Sequence, residues 1–190
     1  MRTFLLLSWM ALPVAGVAYH YGPGQDRLVL DEVARIVASA DSAVVDEDWR
    51  GAVDGYGAAL AKLPAGQVDT ARYIRLQRAK SQMNAQELPV AARDLEALVD
   101  EIESDPSASA EHKREGRRAL ANSQFYMTWL LRLEGKTRAE WEPQIEAARQ
   151  NYRLLAEADV GVAGKQDLEA AIRLERIELE DLQGLPLPSQ

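Results

Sequence analysis

The stretch from Glu47 to Pro64 constrains the fold more than any other part of this chain. Ala52, Tyr56 and Ala59 recur there at four- and three-residue steps, so they share one face of an α-helix. Trp49 stands just before them. Pro64 closes the segment, because proline cannot donate a backbone hydrogen bond and clashes with the preceding turn. A face that alternates small and aromatic side chains is suited to close contact with a second helix. Gly51 and Gly55 lie four apart on the same helix. Each costs about 1 kcal/mol relative to alanine, and close approach of a neighbour is the expected compensation. The segment reads as the second helix of a helix-turn-helix unit. Such units build surfaces for contact rather than catalytic pockets.

The rest of the chain extends that reading. Apolar residues make up 47% of the sequence, enough for a sizeable core, and Ala, Leu, Glu and Arg dominate it. No run of β-branched residues alternates with period two, so the expected fold class is all-α. Leu30, Val33, Ile36, Val37 and Ala40 predict a first helix over 26–44. A second follows over 46–62, a third over 69–85 and a fourth over 89–102, with Pro89 in its first turn. Ser104 to Ser109 reads as a loop. A fifth helix runs to Leu133, with Gly135 as its C-terminal cap. Thr137 and Glu140 match a capping box that opens a sixth helix, which is expected to bend at Pro143 and to end near Glu157. Asp159 to Gly164 is a further break. The seventh helix carries Leu168, Ala171, Ile172, Glu175, Ile177, Leu179 and Leu182. The expectation is three antiparallel helical pairs and a closing helix, because a pair cannot bury its apolar face alone.

The domain limits follow from composition. Residues 1–18 read as a signal peptide or an N-terminal membrane anchor, and 19–25 as a linker. Residues 26–183 form the helical domain, and 184–190 a tail that cannot stay helical past Pro186. Phe4 to Tyr19 is almost wholly apolar behind Arg2, and Gly16-Val17-Ala18 offers a cleavage site. The run is shorter than the about 20 residues a membrane span needs, and Pro13 interrupts it. Cleavage is therefore the first expectation, and an anchor through residues 4–19 the second. Either places the body outside the cytoplasm, in the periplasm or on the outer face of an inner membrane. The chain has no cysteine, so its core must hold it without disulfides. The net charge is −8, and removal of 1–18 takes away only Arg2. Such acidity disfavours nucleic acid and anionic membrane surfaces as partners.

In these features the chain resembles the tetratricopeptide repeat family, a helix-turn-helix unit of about 34 residues. The match lies in Ala52, Tyr56, Ala59 and Pro64, with Asp48-Trp49 in the turn. A looser second unit over 71–104 keeps Ala79, Ala91, Leu95 and Leu98 at the spacing, and a third keeps Ala148, Tyr152 and Leu155. Its turn, Glu134 to Trp141, is longer than the family pattern. The resemblance implies a short right-handed solenoid. It also implies a concave groove, lined by the first helix of each pair, that binds a peptide or protein partner.

Chemistry-bearing groups are sparse. His20 and His112 have no paired histidine at helical spacing, so no metal or cofactor site is expected. No serine lies in a Gly-x-Ser-x-Gly setting, and no glycine-rich loop follows a strand. The expectation is a non-catalytic protein. Charge is segregated, however. Arg72, Arg75, Arg78 and Lys80 collect on the third helix, while acids collect on the fourth. Arg72, Arg75, Lys80, Asn84, Asn122 and Tyr126 are the candidate partner-binding residues, and Arg75, Lys80, Asn84 and Asn122 would make an acidic-peptide clamp. The competing reading pairs Arg72, Arg75 and Lys113 with acids on neighbouring helices, worth about 0–1 kcal/mol per exposed pair. Tyr126, Trp129 and Trp141 form an aromatic group read first as core and second as a contact surface. The function expected is a protein–protein interaction scaffold or assembly factor of the bacterial cell envelope, with a membrane complex among the expected partners. The alternative is an accessory module that binds a small acidic ligand in a basic groove.

Overall fold

A computed structural model describes residues 23–158, 163–178 and 181. The segments 1–18 and 4–19, the first part of the linker, Asp159 to Val162, Leu179, Leu182 and the tail 184–190 lie outside the described residues. The described chain is all-helical and holds no strand: α1 (Pro23–Val45), α2 (Trp49–Lys62), α3 (Val68–Asn84), α4 (Leu88–Ser104), α5 (Ala110–Leu133), α6 (Arg138–Ala158) and α7 (Ala163–Arg176). None of these helices is long and apolar enough to cross a membrane.

Each helix packs on its sequence neighbours, and α3 also touches α5. The core shows why. Val33 and Ala40 of α1, Ala52, Tyr56 and Ala59 of α2, and Ile74 of α3 form one buried cluster. Leu76 and Ala79 of α3, Leu95, Leu98 and Ile102 of α4, and Ala119 and Leu120 of α5 form a second. Ala121 and Phe125 of α5, Ile145, Ala148 and Tyr152 of α6, and Ala171 and Leu174 of α7 form a third. Every cluster thus consists of one pair plus the helix that follows it. Burial of one large apolar side chain contributes about 1.5–3 kcal/mol. A pair with one open side forgoes much of this until the next helix covers it.

The turns within pairs are alike. α1 ends at Val45, and Glu47 follows with φ 57°. α3 ends at Asn84, and Gln86 follows with φ 67°. α5 ends at Leu133, and Gly135 follows with φ 71°. In each, the next amide reaches back to the third-last carbonyl of the helix: Asp48 N–H to Ala43 at 2.8 Å, Glu87 N–H to Gln82 at 2.9 Å and Lys136 N–H to Leu131 at 3.0 Å. These are Schellman caps, which satisfy carbonyls a helix end otherwise leaves open. Two of the next helices, α2 and α6, start at once on a side-chain cap of their own, whereas α4 has none. Asp48 accepts from Gly51 N–H at 3.0 Å, and Glu140 accepts from Thr137 N–H at 2.8 Å.

Several boundaries differ from expectation. α1 begins at Pro23, inside the expected linker, because proline is suited to a first helical position. α2 starts at Trp49 rather than Asp46, since Asp46 to Asp48 are used by the turn. It ends at Lys62 because Pro64 holds Leu63 extended, at ψ 124°. The α5–α6 turn is not long: it spans four residues, Glu134 to Thr137, and α6 runs on through Pro143. Ala163 and Gly164 belong to α7, and Ile177 lies beyond its end. Equivalent buried positions recur at unequal steps, Tyr56 to Leu95 to Tyr152, because α5 and α6 are longer than α3 and α4.

The two glycines of α2 have different reasons. A Cβ on Gly55 would lie 2.9 Å from Ala40 Cβ, so α1 and α2 touch there as expected. A Cβ on Gly51 would instead strike the Asp48 carboxylate, so that glycine serves the cap and not helix approach. Gly57 meets nothing closer than Arg78 Nε at 3.9 Å. Gly57→Ala should raise stability by about 0.5–1 kcal/mol, the ordinary helix-propensity gain. Gly55→Ala should lower it by roughly 1 kcal/mol or more, because overpacking exceeds that gain. Thermal melts of the two single variants check the opposite signs. Gln86→Gly should stabilise by up to about 1 kcal/mol, because it relieves a left-handed backbone; a lower melting temperature in that variant would show that the turn is not strained there.

Candidate functional site

α3 and α5 are each covered on two sides by the clusters they join. One further face of each remains, and between these faces lies a groove of about 800 Å³. α5 supplies a continuous strip: Glu115, Arg118, Asn122, Tyr126 and Trp129. Their three- and four-residue steps place them along one line of the helix. α3 faces it with Gln77, Lys80, Met83 and Asn84. Residues at helix ends close one end: Val44 and Trp49 at the α1–α2 turn, and Leu88 and Pro89 at the start of α4.

The groove is polar at one end and apolar at the other. At the polar end a single carboxylate serves two cations. Lys80 Nζ lies 3.4 Å from one oxygen of Glu115, and Arg118 lies 3.3 Å from the other. All three side chains are partly exposed, so these pairs contribute about 0–1 kcal/mol each. The next turns carry Asn84, whose amide donates to the Lys80 carbonyl at 3.2 Å, and Asn122. Asn122 is held from behind, since the buried Tyr152 hydroxyl donates to its Oδ1 at 2.7 Å. Burial pushes the Tyr152 phenol well above its ordinary value, so it stays a donor. Tyr56 makes the matching bond to Asp41 at 2.6 Å in the first pair. At the apolar end stand Trp49, Met83, Leu88, Tyr126 and Trp129.

Four of the six candidate partner-binding residues, Lys80, Asn84, Asn122 and Tyr126, come together in this groove. The other two do not. Arg72 is only 4% exposed and bonds Glu101 at 3.0 Å and Asp105 at 2.8 Å. Arg75 bonds the other oxygen of Glu101 at 2.8 Å and stands away from the groove. For these two the internal pairing is what the structure contains. They tie α3 to α4 and to the turn before α5, so they are structural. The aromatic group also divides. Trp141 is buried, with Arg132 4.9 Å over its ring, whereas Tyr126 and Trp129 are half-buried groove walls. The repeat-core residues Ala52, Tyr56, Ala59, Ala148 and Tyr152 are all buried, and half-buried Pro64 ends α2.

Arg118, Glu115, Trp49 and Met83 were not among the candidates. Arg118 and Glu115 belong to a mixed-charge run that reads as an ordinary solvated face, and only the approach of α3 to α5 makes them a pair of walls. Among the described residues no group of three or more His, Asp or Glu side chains is placed to hold a metal ion. No family model, curated protein or solved structure matches the chain.

The Arg72 cluster carries its own consequence. Hydrogen bonds from Ser107, then the Arg72 guanidinium, hold the Asp105 carboxyl at about 2. Burial pushes Glu101 up, but hydrogen bonds from Arg75 and Arg72 outweigh it and leave the group below its ordinary value. A depressed carboxyl stabilises the fold above its unfolded pKa, here 3.8, and that gain is lost as pH falls through about 2. Arg72→Met should therefore lower the melting temperature at neutral pH more than Arg75→Met does. Its deficit against the wild type should narrow between about pH 4 and pH 2, as followed by circular dichroism.

Proposed function

We propose that this chain is a non-catalytic scaffold whose helical pairs form a tetratricopeptide-like array and bind a protein partner in the groove between α3 and α5. The observation that carries the reading is the groove itself. Two half-buried aromatics, Tyr126 and Trp129, share a continuous strip of α5 with Arg118 and Asn122. Aromatic and arginine side chains in a concavity are the usual anchors of protein recognition, since they bring large contact area with little entropy cost. Repetition of the pair-plus-next-helix cluster and of the Schellman turns supports the array. Contact between α3 and α5, the first helices of successive pairs, supports an extended face of the kind repeat proteins use for binding. The apolar run behind Arg2 supports export to a bacterial envelope, as a periplasmic protein or as one anchored beside a membrane complex.

The test is a photo-crosslinking amino acid at Trp129 in living cells, with the same group at Leu154, an exposed residue of α6, as the control. A defined adduct from position 129 and none from 154 is expected. The adduct should fade when Lys80 and Arg118 are both changed to Gln in a chain that still melts cooperatively. Identical labelling from the two positions would remove the groove as the binding site. The small-ligand alternative predicts no adduct at 129 and a thermal shift with a soluble dicarboxylic acid.

A further inference from the structure

The two ends of the array differ. At the C-terminal end α7 presents Lys165, Gln166, Glu169, Arg173 and Arg176 outward. This is the polar outer face that the last helix of an array needs in water. The N-terminal end does not match it. α1 has 23 residues, whereas α2, which packs along it, has 14. α2 ends at Lys62, whose ammonium meets Glu32 at 3.2 Å, and α1 runs on past that level toward Pro23. Val33 is buried, but Leu28 is 58% exposed and Val29 37% exposed. Val29 stands four residues before Val33 and continues the packing stripe past the end of α2. Leu28 lies roughly 140° around the helix from Val33, off that stripe, so a longer α2 would not cover it.

The chain that precedes this end points to its partner. The sequence of residues 4–19 is almost wholly apolar behind Arg2 and closes on Tyr19, with Tyr21 beyond it. Tyrosines are enriched where a span meets the membrane–water boundary. A helix over residues 4–19 is roughly 24 Å long, against a hydrocarbon core of about 30 Å. A span short by about 6 Å draws its flanks into the boundary, which is itself about 5–8 Å deep on each side. Pro23 opens α1 directly after this flank, and Leu28 stands roughly 8 Å further along the helix. Leu28 and Val29 are about 100° apart, so one side of a tilted helix presents both. Cleavage after Ala18 would leave this apolar end in water. We infer that residues 4–19 are retained as an anchor, and that Leu28 and Val29 sit in the headgroup–acyl boundary of the bilayer. The contact is apolar rather than ionic, because Asp26, Asp31 and Glu32 stand against Arg27 around it, which suits a zwitterionic surface better than an anionic one. α1 then acts as a stalk that holds the array at the membrane. This rests on the anchored form of the export reading above and is independent of the groove.

The chain has no cysteine, so single ones serve as clean labelling points. The test places an environment-sensitive fluorophore at Leu28→Cys, Val29→Cys or Val45→Cys in the full chain. Val45, 81% exposed at the other end of α1, is the control. Each labelled chain is reconstituted in phosphatidylcholine vesicles that carry a nitroxide on the lipid headgroup. Blue-shifted emission that the nitroxide quenches is expected from 28 and 29, and unquenched aqueous emission from 45. Replacement of phosphatidylcholine by phosphatidylglycerol should weaken the quenching; stronger quenching there would mark an ionic contact and overturn the apolar one. Aqueous emission from 28 and 29, in chains that stay helical by circular dichroism, overturns the inference. A blue shift without quenching that grows with protein density would assign this end to a second copy of the chain and overturns it too. The mass of the native N-terminus, taken from cell membranes, is the second readout, with retention of residues 1–18 expected. A chain that begins at Tyr19 removes both the inference and the anchored form of the export reading, and leaves the periplasmic form standing. The crosslink at position 129 judges the scaffold reading separately.

Discussion

The packing of α3 and α5 on two sides at once is the constraint on which the rest of the molecule depends. Each closes the cluster of the pair before it and opens the cluster of its own pair. Two opposed faces of one helix must then be apolar or internally satisfied, and little surface is left over. This explains why α3 buries Arg72 and Ser81 beside Ile74 and Leu76. Ser81 returns its hydroxyl proton to the Gln77 carbonyl, and Arg72 is met by carboxylates. It also explains why the groove strip of α5 is narrow. The strip is what remains after both neighbours have taken their share.

The C-terminal end of the array is closed by a polar device as well as by packing. Arg132, buried at the end of α5, donates to the carbonyls of Leu174 and Ile177 where α7 ends, while its plane lies over Trp141. Burial lowers its pKa, yet a guanidinium remains charged under any ordinary condition. A cation at a helix C-terminus opposes the negative end of the macrodipole favourably. The same side chain thus joins α5, α6 and α7, which makes the third cluster the counterpart of the first two without a further pair. Tyr56 with Asp41 and Tyr152 with Asn122 show the same economy, each joining the two helices of a pair by one buried or half-buried hydrogen bond.

Much of this was legible in the residues. Ala52, Tyr56 and Ala59 announce a buried small-aromatic face, whereas only the structure separates Gly55, which meets Ala40, from Gly51 and Gly57, which mark no helix approach. The seven helices follow from periodicity and breakers, since Pro64, Gly135 and the Thr137–Glu140 box act within a few residues of themselves. The boundary at Asp46 was misplaced for a related reason. A left-handed Glu47 carries no glycine signal, and only the Schellman bonds reveal it. The site was half legible. Lys80, Asn84, Asn122 and Tyr126 could be chosen from charge and position, but Arg72 and Arg75 looked no different from Lys80 in a linear pattern.

The sequence alone therefore determined local things: helix type, helix ends, the small face of α2 and the segregation of basic and acidic residues. These depend on side chains within one or two turns of each other, where backbone geometry fixes the neighbours. Tertiary structure decided which cations are spent inside and which face the groove. Arg72 reaches acids that are 29 and 33 residues away, whereas Lys80 and Arg118 meet over one carboxylate. Such pairings depend on how α3 lies against α4 and α5, a rotation set by the summed packing of three clusters rather than by any one residue.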